Sequence, residues 1–137
     1  MTASKATIAA IAGALAVGAF LVWRPLSGGT PSDAHIVAVK LPQLSVRAER
    51  GQEVFAANCA ACHGDDAGGT EQGPPLIHRI YEPNHHGDQA FLIAATQGAR
   101  AHHWGFGNMP PVAGVSERQV ADIVAYVREV QKANGIF

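Results

Sequence analysis

The sequence predicts an all-α domain behind an N-terminal apolar helix, and three observations lead there. Three separate stretches read as helices, one from an apolar series at helical spacing, one from cap and stop residues and one from a small–large pair four apart. The segments between them are rich in Gly and Pro, and no strand pattern competes. The first 23 residues hold a long uncharged apolar run. The length of 137 residues allows one modest domain with appendages. A net charge of −1 gives no basic surface for nucleic acid.

The N-terminal segment comes first. From Ala6 to Trp23 there are 18 residues without a charge. A secretory apolar core is about 7–15 residues, whereas a membrane-spanning helix needs about 17–25. Lys5 and Arg24 flank the run, and Trp23 suits a membrane interface. No A-x-A cleavage pattern follows the run. Residues 1–23 are therefore expected to be an uncleaved signal-anchor, with cleavage as the alternative. Residues 24–46 contain three prolines and the Gly28-Gly29 pair and are expected to be a linker. Within it, "HIVAVKL" has the composition of a strand but no evident partner.

Residues 47–137 are expected to form the folded domain. Seven Lys+Arg and ten Asp+Glu leave it at −3. A helix is predicted over about 46–60, where Gly51 and Phe55 share one face. A small residue one turn from a large aromatic lets another helix come close. A second helix is predicted from Asp88 to Gln97, with Asp88 as N-cap and Gly98 as stop. The third follows Ser116, with apolar positions Val120, Ile123, Val124, Val127 and Val130 on one face. Ser116 and Gln119 fit a capping box, and Gly135 fits a stop. Leu76, Phe91 and Leu92 are expected to be apolar core. Asp65 and Asp66 are expected to lie in a solvated turn.

The only cysteines, Cys59 and Cys62, stand in "CAACH", followed at once by His63. A redox dithiol usually follows a strand, and none is predicted upstream. A structural zinc site wants four ligands, usually with more than two cysteines, though other histidines are present. A disulfide within one helical turn is geometrically poor. Covalent haem attachment fits the spacing best. Two thiols add to the two vinyl groups, and the adjacent histidine is placed to ligate the iron.

With these residues in view the sequence resembles the class I c-type cytochromes from residue 47 to about 134. "GQEVFAANCAACHG" resembles the family's N-terminal helix and haem-binding motif. "GPPL" at 73–76 resembles the segment after the proximal ligand, and "GNMPP" at 107–111 the loop with the distal methionine. "ERQVADIVAYVREVQ" resembles the C-terminal helix. The resemblance implies a small class I cytochrome c fold, three or more helices around one covalently bound haem c. It implies thioethers at Cys59 and Cys62 and His63 as proximal ligand. It implies that the Pro74 carbonyl accepts the other N–H of His63, which would orient the ring. Gly51, Phe55 and Tyr126 would lie where the terminal helices cross.

Met109 is the only interior methionine, so a thioether on the sixth iron position must come from it. Pro110 and Pro111 stiffen the chain behind it. His78, His85, His86, His102 and His103 are rival ligands. His102 and His103 together with Met109 could instead bind copper. The plain alternative is that they are loop residues near the haem rim. Trp104 either packs in its loop or donates its N–H to a haem propionate. His35 is expected to be an inert linker residue.

The expected function is one-electron transfer by a single His/Met-ligated haem. Redox proteins are the expected partners, and no small-molecule substrate or nucleic acid is expected. The expected location is the inner membrane, single-pass, with the haem domain in the periplasm. A soluble periplasmic form after cleavage is the alternative. Two other functions fit the same residues. One is a permanent cytochrome c subunit of a membrane oxidoreductase or terminal oxidase. The other is a haem enzyme or gas sensor with a labile sixth ligand.

Overall fold

A computed structural model describes residues 35–137. The expected membrane segment, 1–23, lies outside the described residues. Within them no helix is long and apolar enough to cross a membrane. The helices are α1 (Val46–Asn58), α2 (Ala60–His63), α3 (Asp88–Gln97) and α4 (Glu117–Ala133), with a short 3₁₀ turn at Arg79–Tyr81. The only β pairing among the described residues is an isolated antiparallel bridge between Ala99 and Met109.

The Ser45 hydroxyl caps α1 by accepting from the Ala48 N–H. Its buried face is Ala48, Gly51 and Phe55, so the predicted Gly51–Phe55 pair does share the inner side. The helix ends earlier than expected. Cys59 leaves helical geometry at φ −125°, ψ −31°, and a separate turn, α2, carries Cys62 and His63.

The capping box of α4 is present, with both Ser116–Gln119 contacts made. The predicted apolar stripe is buried, with Tyr126 and Gln131 added to it. Gly135, at φ +77°, takes the left-handed position just beyond the helix. In α3 the cap differs from expectation. Gly87 is the N-cap, and Asp88 is the first helical residue. The Asp88 carboxylate turns instead to Arg128 Nε at 2.8 Å.

The terminal helices α1 and α4 form the main helix pair. A Cβ on Gly51 would lie 1.9 Å from the Asp122 carbonyl oxygen, so only glycine permits this approach. Beside it the Phe55 and Tyr126 rings sit 5.5 Å apart, both fully buried. Burying each such ring contributes about 1.5–3 kcal/mol.

The expected linker reaches only partly into the described residues, and that part is not free. Residues 35–45 run extended along the domain. Val37, Val39 and Leu44 pack on the core while Ile36, Ala38 and Lys40 face solvent. The Val37 N–H donates to the Gly68 carbonyl at 2.8 Å. Asn134 bonds both the N–H and the carbonyl of Lys40. The Ser45 N–H and hydroxyl both donate to Glu129. The strap finds side-chain and loop partners instead of a neighbouring strand.

Candidate haem site

His63 ends α2 and is 9% exposed. Its Nδ1 lies 2.8 Å from the Pro74 carbonyl oxygen. A carbonyl only accepts, so Nδ1 carries the proton and Nε2 holds a free lone pair. Burial pulls the His63 imidazole below its usual range, partly offset by the Pro74 bond. The ring is thus held neutral and oriented, as a metal-binding imidazole must be.

Pro74 is aimed by a local network. The Thr70 hydroxyl donates to the Cys62 carbonyl at 2.6 Å, and the Gly69 N–H to the His63 carbonyl at 2.7 Å. The Leu76 and Ile77 N–H groups both reach the Ala67 carbonyl, at 2.8 and 3.2 Å. Ala67 adopts φ +60°, a strained position for alanine, and is fully buried. These bonds fold residues 64–77 back onto α2.

His63, Cys59, Pro74 and Met109 all line one apolar cleft, whose empty space is about 1120 Å³ including its open mouth. Cys62 is exposed and lies outside the cleft lining. Met109 is half-buried, and its N–H and carbonyl both bond Ala99, at 2.9 and 3.0 Å. Burial, then the neighbouring Cys62, pushes the Cys59 thiol up to about 11. A redox-active dithiol needs the opposite shift, so the site does not suit that chemistry.

The cleft carries one orphaned donor. Trp104 Nε1 is buried without a hydrogen bond, and the indole lines the cleft. Burial raises the Tyr81 phenol, and the nearby Trp104 N–H offsets part of this. That contact falls short of hydrogen-bond geometry, so the indole N–H still wants an acceptor. A cofactor with an iron, an apolar ring and acidic side groups fits these residues.

Of the expected apolar residues, Leu76 and Phe91 line the cleft, while Leu92 faces a separate shallow groove beside Asp88 and Arg128. Asp65 is exposed, as a solvated turn requires, and its carbonyl accepts from the Tyr126 hydroxyl at 3.4 Å. His35 is not a free linker residue. Its ring packs edge-on against Phe106 at 4.8 Å. His78 caps the 3₁₀ turn through Nδ1 and packs edge-on against Trp104 at 5.1 Å. His85, His86, His102 and His103 gather at the cleft rim. Desolvation by the surrounding groups, then the three neighbouring rings, lowers the His103 imidazole.

Sequence reasoning did not anticipate Arg128 and Gln131. Arg128 donates to the carbonyls of Tyr81 at 2.7 Å and His86 at 2.5 Å. Gln131 is 1% exposed and donates to the carbonyls of Leu76 and Tyr81, both at 2.9 Å. Together they tie the cleft wall from 76 to 88 onto α4. The available signal was a polar residue four positions after Val127 on an apolar stripe.

Comparison with known proteins gives three findings. The family model described as Cytochrome c matches residues 48–131. The Cbb3-type cytochrome c oxidase subunit CcoP of Rhodobacter capsulatus is 35% identical over 94 residues, covering 65% of this chain and 31% of that protein. The Cbb3-type cytochrome c oxidase subunit FixPc of Rhizobium leguminosarum bv. viciae is 36% identical over 85 residues, 61% of this chain and 28% of that protein. The matched stretch is thus under a third of either relative. No solved structure matches the chain.

Proposed function

The chain belongs to the cytochrome c family, and on that premise we propose that it carries one haem c, ligated by His63 and Met109, and passes single electrons. Membership in the family implies covalently bound haem and an electron-transfer role. The single CAACH motif is the basis for one haem. The observation that carries the ligand reading is the His63–Pro74 bond at 2.8 Å in a cleft that Met109 also lines.

When bound, haem supplies the Fe(III)/Fe(II) couple. The chain's residues do the rest. Cys59 and Cys62 hold the ring through thioethers. Pro74 fixes the His63 tautomer, leaving Nε2 for the iron. Met109, held by its paired bonds to Ala99, would supply a thioether to the iron, which raises the potential relative to a second histidine. Leu76, Phe91 and the other apolar walls exclude water, and the Trp104 N–H is available to a carboxylate of the ring. A closed iron favours electron transfer over substrate or gas binding.

The relatives bear on the choice between a free carrier and a permanent subunit. Both are named subunits of a Cbb3-type oxidase, which supports a permanent oxidase subunit at least as well as a free carrier. Residues 1–23 would anchor the chain in the inner membrane, with residues 47–137 in the periplasm. Purification of the full chain from membranes in mild detergent separates the two. A stable oxidase assembly supports the subunit, and a lone haem protein supports the carrier. Redox titration tests the shared core: one haem per chain and a one-electron slope are expected. Two haems, or none, would overturn it.

A further inference from the structure

Four histidines from two distant loops meet at the cleft rim. His85 and His86 lie just before α3, and His102 and His103 lie in the loop leading to Met109. Nε2 of His85 is 3.2 Å from Nε2 of His103. Nε2 of His86 is 3.3 Å from Nε2 of His102. The opposite nitrogens of two of these rings are committed. Nδ1 of His86 is 2.6 Å from the Ile80 carbonyl oxygen, and Nδ1 of His102 is 2.6 Å from the Arg100 carbonyl oxygen.

Both Nδ1 atoms must therefore donate, and in the neutral rings both Nε2 atoms are lone pairs. Two lone pairs at this distance repel unless something positive lies between them. A proton answers for one pair and leaves a charged ring among three others. A metal ion between His86 and His102 takes up both lone pairs, and the nitrogens of His85 and His103 lie close enough to His86 to join it.

The spacing matches a metal. Two nitrogens on one tetrahedral ion at about 2.0–2.1 Å are about 3.3–3.4 Å apart. The ligating nitrogens of His85, His86 and His103 all lie within 4.8 Å of one another. Closing the longest gap to a tetrahedral edge takes at most about 1.5 Å. His85 and His103 are exposed and free to turn by that much. The Nδ1–carbonyl bonds of His86 and His102 are the kind that hold metal-binding imidazoles in place. A donor set of imidazoles, without carboxylate or thiolate, selects late divalent metals over magnesium or calcium.

We propose that His85, His86 and His103, with His102 as fourth ligand, bind one zinc-like divalent transition-metal ion at the rim of the cleft. The ion joins the turn before α3 to the loop that carries Met109. The site rests on the proposed His63/Met109 iron ligation, which leaves all four of these histidines free for a second metal.

The test is calorimetric titration of the full haem-loaded chain with zinc chloride near neutral pH, beside a His85→Asn/His103→Asn double variant. One zinc per chain is expected, with at least tenfold weaker binding in the double variant and no change in the parent chain's haem spectrum on zinc addition. Zinc should also raise the melting temperature of the parent chain and not that of the variant. Should the double variant fail to load haem, His85→Gln alone replaces it, because His85 is exposed and outside the cleft lining. No zinc uptake by the parent chain, or equal affinity in parent and variant, overturns the proposal.

Discussion

Replacing Gly51 by alanine forces a methyl group into the backbone of α4. The added Cβ would lie 1.9 Å from the Asp122 carbonyl oxygen, 2.4 Å from its carbon and 2.9 Å from the Ile123 nitrogen. These are backbone atoms inside a helix and cannot swing aside. Ordinary contact is about 3.5 Å, so the helices must part by roughly 1.5 Å. Parting them loosens the Phe55–Tyr126 pair, which such geometry makes worth about 0.5–1.5 kcal/mol beyond burial. Overpacking itself costs about 1–3 kcal/mol. Against this, alanine is about 1 kcal/mol better than glycine inside a helix. The net loss is about 0.5–3.5 kcal/mol. In urea, with a slope of about 2 kcal/mol per molar, the unfolding midpoint falls by about 0.3–2 M. The sign is decisive. An open helical glycine would give a higher midpoint on this substitution, and an unchanged or higher midpoint would refute the helix crossing.

Three further outcomes follow from the same structure. Gly98→Ala places a Cβ 2.6 Å from the Met109 carbonyl oxygen at a backbone φ of +82°, so thermal unfolding should show a loss of about 1–3 kcal/mol with a weakened methionine–iron absorption band. Gln131→Leu keeps the volume but leaves the Leu76 carbonyl without its donor, at a cost of about 1–3 kcal/mol by denaturant titration. Burial, then Asp66, raises the Tyr126 phenol from 10.0 to about 12. Its folded value exceeds its unfolded one, so its contribution is complete below pH 10 and is lost as pH rises towards 12. Alkaline unfolding should reveal roughly 2 kcal/mol of this, and Tyr126→Phe should abolish that pH dependence.

Elements with their own local signals were legible in the sequence. The capping box at Ser116 and Gln119 and the stripe of α4 depend on neighbours within two turns, and both formed. Gly98 marked the end of α3 for the same reason. The break at Cys59 had no such mark, because Ala and Cys continue a helical composition smoothly. The strap at 35–45 did alternate along the chain, but its partners are Gly68, Glu129 and Asn134, far away in sequence. In the cleft, CAACH and Met109 could be read because each motif names its chemistry. The four-histidine rim could not. His86 and His102 are 16 residues apart, and only the folded loops bring their rings together.

Met109 as the second iron ligand beside His63 is the assignment on which electron transfer turns. The ferric absorption spectrum of the full chain, beside that of Met109→Ala, tests this most directly. The parent chain is predicted to show the far-red methionine-to-iron band, and Met109→Ala to lose it with a lower reduction potential. A spectrum unchanged by the substitution, or high-spin iron in the parent chain, would contradict it.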